Sequence, residues 1–154
     1  MSAAVFIISS LEQAAEAGGD LTLAVYDELF AAHPDFRIHF LRDKNDAIKG
    51  EMLSQLIMAI LDICDGGQMG INLIRTISHT HREFGVDLDC FVTFFTALQN
   101  TVQHVLGGFN AETEAAWNML VARLEIISRL ETTAPAIASF WLDADFPSAV
   151  KTAP

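Results

Sequence analysis

A chain of 154 residues and 16.9 kDa has the size of one domain, long enough to bury about two-thirds of the surface its unfolded form exposes and to enclose a cofactor. Nine Lys and Arg against twenty Asp and Glu leave a formal charge of −11. That balance argues against a nucleic-acid partner, which needs a basic face to displace counterions, and against docking on an anionic membrane surface.

The longest apolar stretch, "LIMAILDIC", is interrupted by Asp62 and falls short of the roughly 20 residues of a membrane span. The start "MSAAVFIISSLEQ" has no basic region and runs into acidic residues, unlike a signal peptide, so a cytoplasmic location is expected. Cys64 and Cys90 form no CxxC pattern, which fits buried thiols in a reducing compartment better than a disulfide or a zinc site.

Apolar residues recur at helical spacing almost throughout, with no sustained alternation of period two, so the chain reads as all-α. Breakers at "GGD" (18–20), "HPD" (33–35), "RDKND" (42–46), "DGGQMG" (65–70), "FGVD" (84–87) and "GGFN" (107–110) divide it. Asp20, Asp87 and Asn110 are placed to cap the helices that follow. Six or seven helices are expected, the last two, 88–106 and 111–132, being the longest. Residues 1–133 form the folded domain. The tail, 134–154, is rich in Ala, Pro and Thr but keeps Phe140, Trp141, Leu142 and Phe146, so part of it is expected to pack back.

Two histidines stand in "SHTHREFGV" (78–86). At 100° per residue, Ile74, Ile77 and His81 share an apolar stripe, whereas His79 points roughly 160° away toward water. A histidine on an apolar face is by default a satisfied core residue. His33, His39, His79 and His104 offer no stronger case.

A larger arrangement changes the reading of His81. "HREFGVDLDCF" (81–91) followed by "LGGFNAETEAAW" (106–117) resembles the proximal part of the globin family, a region also similar to neuroglobins. "LTLAVYDELFAAHPDFRIHF" (21–40) is similar to the haem domain of flavohaemoglobins, with Tyr26, Phe30, Pro34 and Phe40 at that pattern's spacings. The resemblance runs from about Ser10 to Leu130 and implies a globin fold of six to eight helices around a pocket for haem b, as in bacterial single-domain globins.

By that resemblance His81 is the proximal iron ligand, since neutral imidazole binds haem iron and leaves the opposite axial position open. The carbonyl of Ile77, one turn back, is the candidate acceptor for its second ring nitrogen. Phe40, Val86 and Phe91 are the haem-face contacts, although they would serve equally as core without haem. Tyr26, the only tyrosine, is the residue whose hydroxyl would donate to dioxygen. Trp117 reads as a packing residue.

The distal helix, "DAIKGEMLSQLIMAILDI" (46–63), admits two registers. Counting back from His81 without a gap places Lys49 where the family usually has His or Gln, with Leu53 one turn on and Ser54 turned inward. One extra residue in the "DGGQMG" corner places Ile48 there instead, with Met52, Leu53 and Leu56 lining the pocket. In both the usual distal His or Gln is missing. On the proximal side Phe91 and Thr132, beside Glu131, stand where flavohaemoglobins carry a tyrosine and a glutamate, so their electron-pushing network is not expected.

The function implied is reversible binding of dioxygen, carbon monoxide or nitric oxide. Oxidation of nitric oxide to nitrate is a further possibility that needs a separate reductase, because no flavin or nicotinamide domain and no GxGxxG fingerprint follow. A gas or redox sensor or regulatory module, with or without haem, is the alternative, and a helical bundle that binds nothing is the plain reading. A monomer, or a homodimer through the last two helices, fits equally.

Overall fold

The breakers of the sequence become the boundaries of its helices. The structure, a computed structural model, describes residues 1–130. Six α-helices follow one another, α1 Ala3–Gly18, α2 Thr22–Ala32, α3 Ala47–Cys64, α4 Met69–Glu83, α5 Leu88–Val105 and α6 Ala111–Arg129, with a 3-10 segment at Pro34–Phe40 and no strand among the described residues. Two sequence expectations about helix length are corrected. The 18 residues of α3 equal the length of α5, and α6 stops at Arg129 because Leu130 is extended. The tail 134–154, with Phe140, Trp141, Leu142 and Phe146, lies outside the described residues, as do Glu131 and Thr132.

Helix starts are secured by side chains that accept from amides lacking an intrahelical partner. Asp20 accepts from the amide and hydroxyl of Thr22 (2.9 and 2.6 Å), Asp87 from the amide of Asp89 (2.9 Å) and Asn110 from that of Thr113 (2.8 Å). The Asp20 carboxyl is held below its ordinary range by the Thr22 hydroxyl and then by the Thr22 amide.

The helices pair as α2 on α5, α3 on α4 and α1 along α6, with α4 and α5 also packed on α6. Ile7, Tyr26, Ile60, Ile74, Phe95, Leu98 and Trp117 occupy the centre of the core. Trp117 satisfies its indole by donating to the Ser10 hydroxyl (2.9 Å), which itself donates to the Ile7 carbonyl (2.8 Å), so α6 is pinned to α1 without an orphaned polar atom. None of the described helices is long and apolar enough to cross a membrane.

α3 and α4 cross closely at the start of α4. The Asp62 carboxylate accepts from the Gly70 amide (2.6 Å), and a methyl group added at Gly70 would stand 2.3 Å from the Ala59 carbonyl oxygen. Only glycine permits this approach. The Gly70→Ala variant should therefore force the two helices apart and lose roughly 1–3 kcal/mol or more of stability, measured by urea unfolding. An unchanged midpoint would show that the hairpin can yield there.

Candidate functional site

The last turn of α4 carries His81 on the apolar stripe begun by Ile74 and Ile77. His79 projects from the other side, exposed and 3.3 Å from the Glu83 carboxylate. Nδ1 of His81 lies 2.8 Å from the Ile77 carbonyl oxygen. A carbonyl can only accept, so in the neutral ring Nδ1 holds the proton and Nε2 the lone pair, the tautomer that can ligate a metal. After α4 the chain turns through Gly85 (φ +80°), a backbone that L side chains resist, and the Val86 amide donates to the His81 carbonyl (2.9 Å). The Phe91 ring of α5 stands 5.1 Å from the imidazole.

His81 lines a cavity of about 380 Å³, a volume within the range of small-molecule sites. Its walls are Tyr26 and Leu29 from α2, Phe36 and Phe40 from the 3-10 segment, Ile48, Met52 and Leu56 from α3, and Ile77, Val86, Phe91 and Phe94 from α4 onward. Phe84 and Ile48 belong to the same lining yet are 80% and 51% exposed, so large apolar surfaces stand open at its mouth. Such a concentration marks a place where an apolar ligand is received.

The α3 wall distinguishes the two registers. Ile48, Met52, Gln55 and Leu56, spaced i, i+4, i+7 and i+8, line the cavity. Lys49 and Leu53 are not in that lining, which corrects the sequence expectation for both. Lys49 extends its ammonium to Asp46 (2.7 Å) and Asp43 (3.8 Å) and sits 5.5 Å from the Phe40 ring centre. Leu53 turns with the exposed Ser54 into a groove against α1 and α2.

The physical reason is a clamp on the first turn of α3. Both Asp43 oxygens accept backbone amides, from Ile48 (3.0 Å) and Lys49 (3.0 Å), and the Asp43 amide donates to the Phe40 carbonyl (3.0 Å). Burial by itself would raise the Asp43 carboxyl. The amides of Ile48 and Lys49, with the Lys49 charge, outweigh it and hold the group below its ordinary value.

Tyr26, 2% exposed, brings the phenolic hydroxyl into this apolar space. Its ring packs between Phe30, Phe40 and Phe94 at 5.2–5.7 Å, and its hydroxyl donates to Met52 Sδ at 3.6 Å. Burial, and then the Asp43 charge, push its pKa well above the ordinary phenol value, so it remains a proton-bearing donor across physiological pH.

Periodicity did not reveal everything that lines the cavity. His39, set aside on sequence, reaches the lining beside Phe36 (5.4 Å), as do Thr76, Thr80 and Cys90. His33 is half-buried and links α2 to α5. Its Nε2 lies 3.1 Å from the Thr93 hydroxyl, which donates to the Asp89 carbonyl (2.7 Å), and its Nδ1 lies 3.4 Å from Cys90 Sγ. Burial, then Asp87, Asp35 and Asp89, raise the Cys90 thiol, which keeps it protonated as a donor to that imidazole. The one signal in the sequence was the "HPD" helix stop, which places His33 at the α2 terminus.

Because Tyr26 is the only tyrosine, phenolate absorbance reports on it alone. A folded pKa above the unfolded value of about 10 gives stability that is fully present below pH 10 and is lost as pH rises past it. The absorbance should thus resist titration at pH 10 and then appear together with unfolding; simple titration near pH 10 in folded protein would place the hydroxyl in water.

Comparison with curated proteins finds no match, and comparison with solved structures finds none. The family model described as Globin matches residues 23–128, a span from the first turn of α2 to the last turn of α6 that takes in Tyr26, the whole α3 wall, His81 and Phe91. The chain belongs to the globin family.

Proposed function

We propose that this chain is a haem globin that reversibly binds diatomic gases, with His81 as the proximal iron ligand and Tyr26 as the donor on the distal side. The observation that supports it is one apolar cavity walled both by an imidazole whose Ile77 contact leaves Nε2 its lone pair and by a buried, protonated phenol. Those residues fit the group that globins generally hold. A flat, largely apolar macrocycle suits the Phe40, Val86 and Phe91 surfaces, and haem b, iron protoporphyrin IX, is the form held without covalent attachment. When bound, ferrous haem would supply the iron that takes a gas such as dioxygen, carbon monoxide or nitric oxide.

The residues do the remaining work. The Ile77 carbonyl sets the His81 tautomer and ring plane. Ile48, Met52 and Leu56 give the α3 wall its apolar surface beside Gln55, and Tyr26, whose hydroxyl is buried in the cavity, would donate to bound dioxygen and offer little to carbon monoxide. Lys49, held by Asp46 and Asp43, is kept from the iron position. Phe91 in place of a tyrosine leaves the imidazole unpolarised on that side and favours gas binding over peroxide activation.

The spacing from Tyr26 to Phe40 supports a bacterial, flavohaemoglobin-like subtype. In that subtype nitric oxide, dioxygen and one electron from a separate reductase give nitrate.

Absorption spectra of the ferric, ferrous and carbon-monoxide forms test the reading first, and a sharp carbon-monoxide shift of a five-coordinate ferrous band is expected. His81→Gly should lose or loosen haem, with imidazole restoring the spectrum. Tyr26→Phe should raise the dioxygen off-rate about tenfold, the equivalent of about 1.4 kcal/mol, and leave the carbon-monoxide off-rate nearly unchanged. Retention of the ferrous spectrum by His81→Gly without imidazole would remove His81 from the iron.

A further inference from the structure

Of the five methionines, Met52 alone lines the haem cavity, and it is half-buried there. Met58 and Met69 are 54% and 65% exposed, and Met1 and Met119 also stand at the surface. The Met52 thioether accepts the Tyr26 hydroxyl at 3.6 Å. Thioether sulfur is a weak acceptor, so the phenol is oriented into the distal space by a partner it can readily leave. A tyrosine has one hydroxyl proton to donate, and whatever accepts it most strongly decides where it points.

Peroxide converts a methionine thioether to a sulfoxide, changing an apolar side chain with a weak acceptor into a polar one bearing an S–O oxygen. At Met52 the added oxygen would lie on the very atom the phenol already addresses. We propose that Met52 is an oxidation site whose sulfoxide captures the Tyr26 hydroxyl and thereby withdraws the hydrogen bond that Tyr26 offers to dioxygen. The inference rests on the gas-binding reading for its consequence, whereas the oxidation itself does not.

The step balances with hydrogen peroxide as the oxidant. The sulfur lone pair attacks one peroxide oxygen, the S–O bond forms and the O–O bond breaks. The proton on the transferred oxygen passes to the departing hydroxide, which leaves as water. Sulfur is oxidised by two electrons and peroxide is reduced by two. The Tyr26 hydroxyl, beside the sulfur, donates a hydrogen bond to the departing oxygen and finishes protonated. Two electrons and two protons return the thioether and release water.

The geometry thus assigns to this pocket a dependence on oxidant. With the thioether, Tyr26 serves dioxygen and the gas is held longer. With the sulfoxide, Tyr26 is engaged by a stronger acceptor and dioxygen leaves sooner, while carbon monoxide, which draws little from the phenol, is barely affected.

The test treats full-length, haem-loaded protein, kept as the carbon-monoxide complex, with hydrogen peroxide and follows each methionine by peptide mass spectrometry. Met52 should oxidise at least as fast as the more exposed Met58 and Met69, and more slowly in Tyr26→Phe. After peroxide removal the dioxygen off-rate should rise about tenfold, toward the Tyr26→Phe value, and the infrared stretch of bound carbon monoxide should move toward that variant's. Met52→Gln, a strong acceptor at the same place, should reproduce both changes without peroxide, and Met52→Leu should abolish the response to it. Oxidation of Met58 and Met69 with Met52 intact would overturn the proposal, as would a Met52 sulfoxide with unaltered off-rate and infrared stretch. A chain that takes up no haem would instead defeat the gas-binding reading, and the loss of that consequence would overturn the proposed switch even if Met52 oxidised.

Discussion

The close approach of α3 and α4 at Gly70 is the constraint on which the site depends. Asp62 holds the Gly70 amide while the Ala59 carbonyl fills the space a side chain would need. Two helices joined this tightly at one end become the two arms of a hairpin. One arm presents Met52 and Ile48, and the other presents His81. Interior packing transmits small displacements, so a shift at the crossing is felt at both walls of the cavity.

Further along α3 a second constraint takes over. The phase of α3 follows from its buried stripe of Leu53, Leu56, Ile60 and Ile63, and at its first turn Asp43 adds an anchor by taking the amides of Ile48 and Lys49 on its two oxygens. The same residue ties back to Phe40, and its charge helps to keep the Tyr26 phenol protonated. One carboxylate therefore couples the start of the distal wall, the position of an aromatic face and the protonation of the hydroxyl donor. Lys49 is drawn out of contention by the carboxylates that secure the helix start.

The cavity that results holds the Tyr26 hydroxyl on a largely apolar surface that also carries His39, Gln55, Thr76 and Thr80. A hydrogen bond there gains from the low local dielectric, and an unpaired one would be costly. Met52 resolves this by accepting weakly, enough to satisfy the phenol without holding it against a better acceptor. Its sulfur is thus the partner of the phenol within the cavity, although its spacing alone marks it as nothing more than an apolar residue.

Much of this was legible in the residues themselves. Period-3.6 patterning and the Gly, Pro and Asx breakers delimit the helices, and the stripe of Ile74, Ile77 and His81 shows which histidine faces inward, because these depend on local geometry that each segment carries with it. The phase of α3 was not legible. Whether Lys49 or Ile48 faces the cavity depends on how α3 packs against its neighbours and on an aspartate outside the helix, both set by contacts between elements. The place of the exposed His39 in the cavity lining and the His33 link to Cys90 and Thr93 were hidden for the same reason. Sequence by itself determined the all-helical class, the inward histidine and the single tyrosine, since short-range backbone and periodicity rules suffice for them. Only the tertiary structure decided which side chains share the cavity and which sulfur the phenol addresses, because those contacts join residues far apart in the chain.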